Sequence, residues 1–406
     1  MVRPAPPSPR AVIMLTPNFR PETNAAAKRL SAMADHFARA GWRVSVITHM
    51  PHYPQHVIHD GFDRTSPDVR DEAGITVVRI RPWIVRKDAL ALRLLSESLF
   101  ALQALAHVLR RPPSLVLASS PFMFLGPVGL LAARCTGSRF VWDVRDLTWL
   151  YPKAAGRRTF GVDRLLEALM RFTGRSADVL VTATHGLLAY FAERPQRAAT
   201  IPNGVSDEVL QALEPVSRSP ILTGGRPHVV YTGLFGYNHG LLTLIEAAKL
   251  LGDVDFTLVG DGPERDALRA AADGAMNVTI APYQRFDDLC ETYRGADVLV
   301  SHVRRNPIFL WTQPAKLWEY MASGRPVVHA GEGEVIDVLE GHAIARTVPP
   351  DDARALARAL GDLLADPEEA RALGARGRTF VETHRRRETL MADLISLVAA
   401  SAPEAR

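Results

Sequence analysis

The densest group of chemistry-bearing residues is the run Pro314-Ala315-Lys316-Leu317-Trp318-Glu319-Tyr320-Met321-Ala322-Ser323-Gly324-Arg325-Pro326. Proline suits the first turn of a helix and glycine its exit, so the run predicts a helix opened at Pro314 and closed at Gly324. Lys316 then sits in the first turn, where a cation opposes the positive end of the helix dipole. That placement makes sense if an anion such as a diphosphate binds at the helix start. Glu319, three residues on, shares the face of Lys316 and can accept hydrogen bonds from ribose hydroxyls; the plainer reading of the two is an i,i+3 surface ion pair. Upstream, Gly233 to Gly240 and Gly260-Asp261-Gly262-Pro263 are glycine turns. Glycine lets backbone N–H groups approach an anion, although tight turns and helix capping use the same residues. Arg304 and Arg305 are either phosphate-holding cations or solvated loop charges.

Glu22, Asn24, Arg145, Asp146 and His185 are the candidates in the first half. Each follows a short apolar run, and an open parallel sheet holds its ligands beyond the carboxyl ends of its strands. Plainer readings exist: a helix cap for His185, an internal ion pair for Arg145 between two aspartates.

The elements that must position these residues follow from periodicity. Apolar runs at Ala11–Thr16, Arg43–Thr48, Ile75–Ile80, Leu115–Ser119, Phe140–Val144, Val179–Ala183 and Ala199–Pro202 read as strands. Helical stretches lie between them, including Leu30-Met33-Ala34-Phe37, a long segment ending near Arg110 and Phe122–Cys135. The alternation restarts at His228 with strands at Val229–Thr232, Asp255–Val259, Val278–Ala281, Val298–Ser301, Pro326–His329 and Ile344–Val348. Helices fall at Leu241–Leu251 and Glu264–Ala272, and three more at 351–364, 367–382 and 386–400. Strand alternating with helix means a mostly parallel sheet covered on both faces. The proline- and glycine-bearing stretch 211–227 lacks a period and reads as a linker. The expectation is α/β: an N-terminal Rossmann-like domain over 11–210, a second over 228–385, and ligand held between them.

Composition narrows the function. At 406 residues the chain is long enough for two domains, and 47% hydrophobic with 23% charged residues is ordinary for a globular protein. The proline-rich Met1–Arg10 and Ser401–Arg406 read as loose ends. Cys135 and Cys290 are too few and too far apart for zinc or a disulfide scaffold and read as buried small residues in a reducing compartment. No secretory core or membrane-spanning run is visible. The net charge of +4 suits a diphosphate or anionic lipid. Basic residues are dispersed among acids without an aromatic ladder, which argues against nucleic acid.

Read together, these residues resemble the family-4 glycosyltransferases with the GT-B fold, two Rossmann-like domains facing across a cleft. The likeness is to the branch building bacterial surface polysaccharides, including aminosugar and deoxysugar transferases. It rests on Phe19-Arg20-Pro21-Glu22-Thr23-Asn24-Ala25, Lys28-Arg29-Leu30, His52-Tyr53-Pro54, Val144-Arg145-Asp146-Leu147 and Ile201-Pro202-Asn203-Gly204-Val205. Tyr231-Thr232-Gly233, Leu258-Val259-Gly260-Asp261-Gly262-Pro263-Glu264, Ala296-Asp297-Val298 and the Pro314–Pro326 block extend it through the second half.

The resemblance implies a retaining transferase using a nucleotide diphosphate sugar, usually a UDP-sugar, with no cofactor and no required metal. Donor contacts would come from Gly233, Gly236, Asn238, His239, Gly262, Arg304, Arg305, Thr312, Gln313, Pro314, Lys316 and Glu319. Glu22, Asn24, His52 and Arg145 would face the acceptor, and Lys316, Glu319, Asp146 and His185 would carry the chemistry. The last helix, 386–400, would cross back to the first domain. Two departures stand out. Trp311 occupies the place of the first of two family glutamates. The loop Leu234-Phe235-Gly236-Tyr237-Asn238-His239 lacks the usual arginine and lysine, leaving Arg304 or Arg305 to compensate. The acceptor would be a glycan or lipid-linked sugar, with the protein in the cytoplasm or at the inner membrane face. Ile84–Arg111, basic at both ends with Leu92, Leu94, Leu95, Leu99, Phe100, Leu102 and Leu105 between, is either a helix on anionic lipid or one packed on the sheet. Rival readings are a transferase for a soluble metabolite, a nucleotide-sugar epimerase and a non-catalytic binding module.

Overall fold

The computed structural model describes residues 10–52, 57–62, 66–83, 90–151, 161–191, 193–195, 197–217 and 225–400. The expected loose ends 1–9 and 401–406, and 84–89 of the candidate lipid helix, lie outside them. The chain divides into two compact units, one of residues 1–202 and 388–406, the other of 203–387.

The first unit carries an eight-stranded sheet in the order β3-β4-β2-β1-β5-β6-β7-β8. Its strands are β1 (Ala11–Leu15), β2 (Arg43–His49), β3 (Asp68–Glu72), β4 (Ile75–Ile80), β5 (Leu115–Ser119), β6 (Arg139–Val144), β7 (Val179–Thr182) and β8 (Ala198–Thr200). All pairings are parallel except β3 with β4. The helices are α1 (Ala25–Arg39), α2 (Leu90–Arg110), α3 (Leu125–Thr136), α4 (Val162–Ser176) and α5 (His185–Tyr190). Side chains alternate across a strand, so Leu115, Leu117 and Val141 join the core under α1 while Phe140 and Trp142 meet α3. On α1 it is the helically spaced Leu30, Met33, Ala34 and Phe37 that are buried. Arg29 is buried on the same helix. It bonds Asp143 of β6 at 2.9 Å and the Pro202 carbonyl at 3.0 Å, and Asp143 also accepts from Ser119 at 2.8 Å. The aspartate beside Arg145 is therefore answered by Arg29.

The second unit opens with α6 (Asp207–Ala212) and α7 (Glu214–Ser217), then a six-stranded, all-parallel sheet in the order β11-β10-β9-β12-β13-β14. These strands are β9 (His228–Leu234), β10 (Asp255–Asp261), β11 (Val278–Ala281), β12 (Val298–His302), β13 (Val327–Ala330) and β14 (Arg346–Val348). Its helices are α8 (Leu241–Leu250), α9 (Arg265–Ala272), α10 (Phe286–Arg294), α11 (Ala315–Ala322), α12 (Glu334–Gly341), α13 (Ala353–Leu364) and α14 (Pro367–His384). One apolar layer joins β9 and β10 to α8 and α13; the other joins β9 and β12 to α10, α11 and α12. A final helix, α15 (Arg387–Ala399), buries Met391, Leu394 and Val398 in the core of the first unit.

Two sequence expectations are corrected, and one strand is added that the sequence reading did not assign. The division falls at Pro202–Asn203, ahead of the expected 211–227 linker, because Val205, Leu210, Leu213 and Val216 are buried with Leu317 and Trp318 of α11. Residues 218–224 of that stretch lie outside the described residues. Cys135 is exposed, on the outward side of the last turn of α3, whereas Cys290 is buried. The polar Asp-Val-Arg-Asp-Glu run, without apolar alternation, forms the antiparallel edge strand β3.

Candidate functional site

Each sheet reverses its strand order at one point, between β1 and β5 in the first unit and between β9 and β12 in the second. Ligands of open parallel sheets bind beyond the carboxyl ends of strands at such a point.

In the second unit, that edge gathers the end of β9, the loop after β12 and the start of α11. Tyr320 of α11 places its hydroxyl on Thr232, accepting from the backbone N at 2.8 Å and donating to the backbone O at 2.9 Å. One turn earlier on the helix, Lys316 reaches Tyr231, with Nζ 2.5 Å from the phenol oxygen and 3.9 Å from the ring centroid. Two contacts a helical turn apart thus fix the start of α11 over β9. Gly233 lies directly under the ammonium. Its φ of +134° favours glycine, and a Cβ there would be 2.6 Å from Lys316 Nζ and would displace the ammonium. Removal from water pushes the Lys316 pKa down to about 7, with the Glu319 carboxylate acting in the opposite sense. The lysine is thus a half-buried cation against an aromatic ring at a helix start, with the Glu319 carboxylate near enough to favour its charge.

The arginines after β12 part company. Arg304 stacks over the Tyr237 ring at 4.3 Å, and its backbone N bonds the Asn238 carbonyl at 3.0 Å. Arg305 is exposed. Its backbone N bonds Asp351 at 2.9 Å, and its guanidinium is 3.9 Å from Glu332. Gly236, Asn238 and His239 form one tight turn, closed by the His239 N to Gly236 O bond at 2.9 Å. The Gly262 N–H is already donated to Asp261 Oδ1 at 2.8 Å, so this second glycine turn is explained by its own carboxylate. Thr312 and Pro314 lead into α11, and Gln313 bonds Glu334 at 3.2 Å. His239 Nδ1, Arg304 Nε and Gln313 Oε1 are buried and have no hydrogen-bond partner among the described residues. Buried polar atoms are rarely left so. Three histidines line this edge: burial holds His239 well below the usual imidazole range and lowers His302 to about 4 and His329 to about 3, which keeps all three neutral.

The first unit gathers a second polar group. Glu22 is buried and accepts from Asn18 Nδ2 at 2.8 Å, Asn24 Nδ2 at 3.2 Å and the His52 backbone N at 2.9 Å. The carboxylate therefore ties the loop after β1 to the loop after β2. Asn24 also caps α1, accepting from Ala27 N at 2.9 Å. Arg145 joins them at its Nη1, 3.4 Å from the Ala25 carbonyl. Tyr53 and Pro54 lie outside the described residues. Burial raises the Asp146 carboxyl to about 6, against the lowering effect of Arg145. His185 is exposed at the first position of α5, beyond the end of β7.

Sequence reasoning missed Tyr231, Tyr320 and the neutral His302 and His329. Their side chains act from strand interiors and a helix face, where an apolar core reading suffices.

Residues 226–366 match the family described as glycosyl transferases group 1, and residues 24–204 match the glycosyl transferase 4-like domain. The chain is similar to the "Putative colanic acid biosynthesis glycosyl transferase WcaI" of Escherichia coli, at 26% identity over 86% of this chain and 91% of that one. It is also similar to a Mycobacterium tuberculosis GDP-mannose-dependent α-(1-6)-phosphatidylinositol monomannoside mannosyltransferase, at 26% identity over 66% of this chain and 72% of that one. Among solved structures, sucrose-phosphate synthase from Thermosynechococcus elongatus shares the fold with TM-score 0.76 at 19% identity, covering 96% of this chain and 98% of that one.

Proposed function

Because the chain is a group 1 glycosyltransferase of GT-B fold, we propose that it transfers a sugar, with retention, from a nucleotide diphosphate sugar held by the second unit. The donor is a UDP-sugar, and the acceptor hydroxyl belongs to a glycan or a lipid-linked sugar. The observation that carries this reading is Lys316. The β9 loop lacks the family's cations, yet an ammonium stands over Gly233 at that loop, delivered from α11. It takes the role that the sequence left to Arg304 or Arg305.

In the reaction the bond from the anomeric carbon to the β-phosphate oxygen breaks as the acceptor oxygen bonds the same carbon from the same face. The departing oxygen takes the acceptor proton, so no protein base is required. Negative charge grows on the diphosphate, and pre-aimed donors lower that barrier. Lys316 supplies a full charge and the first N–H groups of α11 supply partial ones. Glu319, one turn deeper, accepts from the ribose hydroxyls. The unpartnered His239 Nδ1, Arg304 Nε and Gln313 Oε1 are polar atoms that such a donor would satisfy. The Glu22–Asn24–His52 group with Arg145 orients the acceptor, with Asp146 and His185 beside it on the same sheet edge. The donor's charge is met by these groups with neither metal nor cofactor.

Calorimetry with UDP, GDP and dTDP tests the donor site, since a similar mannosyltransferase takes GDP-mannose by its name. Binding of one nucleotide, abolished in Lys316→Ala and Glu319→Ala, is expected, with turnover down about a hundredfold or more in each. Near-normal turnover in both variants overturns the assignment.

A further inference from the structure

Large apolar side chains exposed on the described surface are unevenly placed. On α2 the exposed leucines are Leu92, Leu95, Leu99, Leu102 and Leu109, whose spacing puts them on one helix face. The opposite face buries Phe100, Ala101, Ala104 and Val108. So α2 packs on the sheet and still shows an apolar stripe outward; the two sequence readings of this helix describe its two sides.

A second stripe lies on α4. Val162, Leu165, Leu169 and Phe172 repeat at the same spacing and are exposed, Leu165 to 71%, while Met170, Thr173 and Gly174 face inward. Between the stripes runs α3, in contact with both. It lies low on the sheet because Gly126 and Gly129 sit where a Cβ would come within 2.6 Å of Trp142 and 2.7 Å of Phe140. Its exposed large apolar residue is Leu131, and Arg134 ties it to α4 through the Ser176 carbonyl at 2.8 Å. Three neighbouring helices therefore present one apolar face. In the second unit the exposed large apolar residues are Leu234, Tyr237, Leu250, Met276 and Tyr283, which form no such stripes.

Charge identifies what covers this face. Exposed cations border it: Arg110 at the end of α2, Arg134 on α3, and Arg164, Arg171 and Arg175 on α4. Of the acids around these helices, Glu97 is buried, Asp163 lies in the first turn of α4, Glu167 pairs with Arg171 at 3.1 Å and Glu193 pairs with Arg175 at 3.0 Å, so the exposed arginines still outnumber the acids. A second copy docked through this face in a two-fold pair would set the same arginines against each other. A lipid surface bearing phosphates complements them, with leucines entering the acyl boundary.

We propose that the α2–α3–α4 face of the first unit docks on an anionic phospholipid bilayer. No described helix is long and apolar enough to cross one, so attachment is to the surface. The inference does not depend on which donor or acceptor the enzyme uses, because vesicle binding is read without sugar transfer.

The test is sedimentation of the full chain with vesicles of phosphatidylcholine alone and of phosphatidylcholine with phosphatidylglycerol, at low and high salt. Leu102→Glu and Leu165→Glu alter side chains that already face outward, so melting temperature and nucleotide binding should match wild type. Wild type should partition onto the anionic vesicles, less at high salt, and each variant should lower the partition coefficient roughly tenfold or more. Absence of binding to anionic vesicles, or binding undiminished in both variants, overturns the proposal. So does light scattering that shows a wild-type dimer converted to monomer by either variant, which would assign the face to a second copy.

Discussion

Lys316 makes nucleotide binding a proton-linked event. With its pKa near 7 in the free protein, the side chain is about one-tenth charged at about pH 8. A diphosphate favours the charged form, so binding at that pH should draw in about 0.9 proton. The direction follows from the lowered value. Below about pH 7 the ammonium is already present and binding is strongest. As pH rises from about 7 toward the higher pKa of the complex, affinity should fall about tenfold per unit, or about 1.4 kcal/mol. Titration calorimetry with UDP in phosphate and in Tris, which differ in ionisation enthalpy, reads the proton number directly. UDP itself is almost fully ionised there, its last pKa being about 6. Lys316→Arg stays charged and should show a flat pH profile with little uptake. The same uptake in Lys316→Met as in wild type would refute the reasoning.

Other substitutions test the surrounding frame. Gly233→Ala places a methyl 2.6 Å from Lys316 Nζ at φ +134°; a strain of about 1–3 kcal/mol and a large loss of kcat/KM are expected in steady-state kinetics. Arg29→Ala leaves Asp143 buried without its cation, and denaturant titration should show about 3–5 kcal/mol lost. Asp146, held near 6 in the fold against about 3.9 when unfolded, is costly to ionise: stability falls as pH rises across that window. Asp146→Asn should therefore raise the melting temperature at pH 8, by up to about 2–3 kcal/mol in stability, while lowering turnover if the carboxylate serves the acceptor. Excess chelator should leave transfer unchanged.

Parts of this were legible in the sequence for identifiable reasons. The buried parallel strands are short apolar runs, and such runs announce themselves: β1 is Ala-Val-Ile-Met-Leu, buried throughout. Proline and glycine punctuated α11, which fixed the turn that Lys316 occupies. What escaped has the opposite character. The helix α4 has an apolar face at helical spacing but turns it to solvent, so its pattern points to the wrong side as core. The stretch 211–217 looked like linker, yet its Leu213 and Val216 are buried in the second unit. The partner of Lys316 lies 85 positions away in sequence. Pairing between α11 and β9 is a product of folding, and no local spacing encodes it. The same holds for Arg29, whose partner Asp143 is 114 positions away.

The Tyr320 hydroxyl has a meaning for the sheet itself. The β9–β12 ladder ends at the Val230–Leu299 pair, while β9 stays paired with β10 through Leu234. Past Val230 the two central strands diverge, and Thr232 would be left with both backbone groups unmet on that side. The phenol answers both, acting as one rung of a ladder whose second rail has turned away. The slot at the switch point is thus propped open at the length of a tyrosine. Its width belongs to the sheet, set when the protein folds and before any ligand arrives.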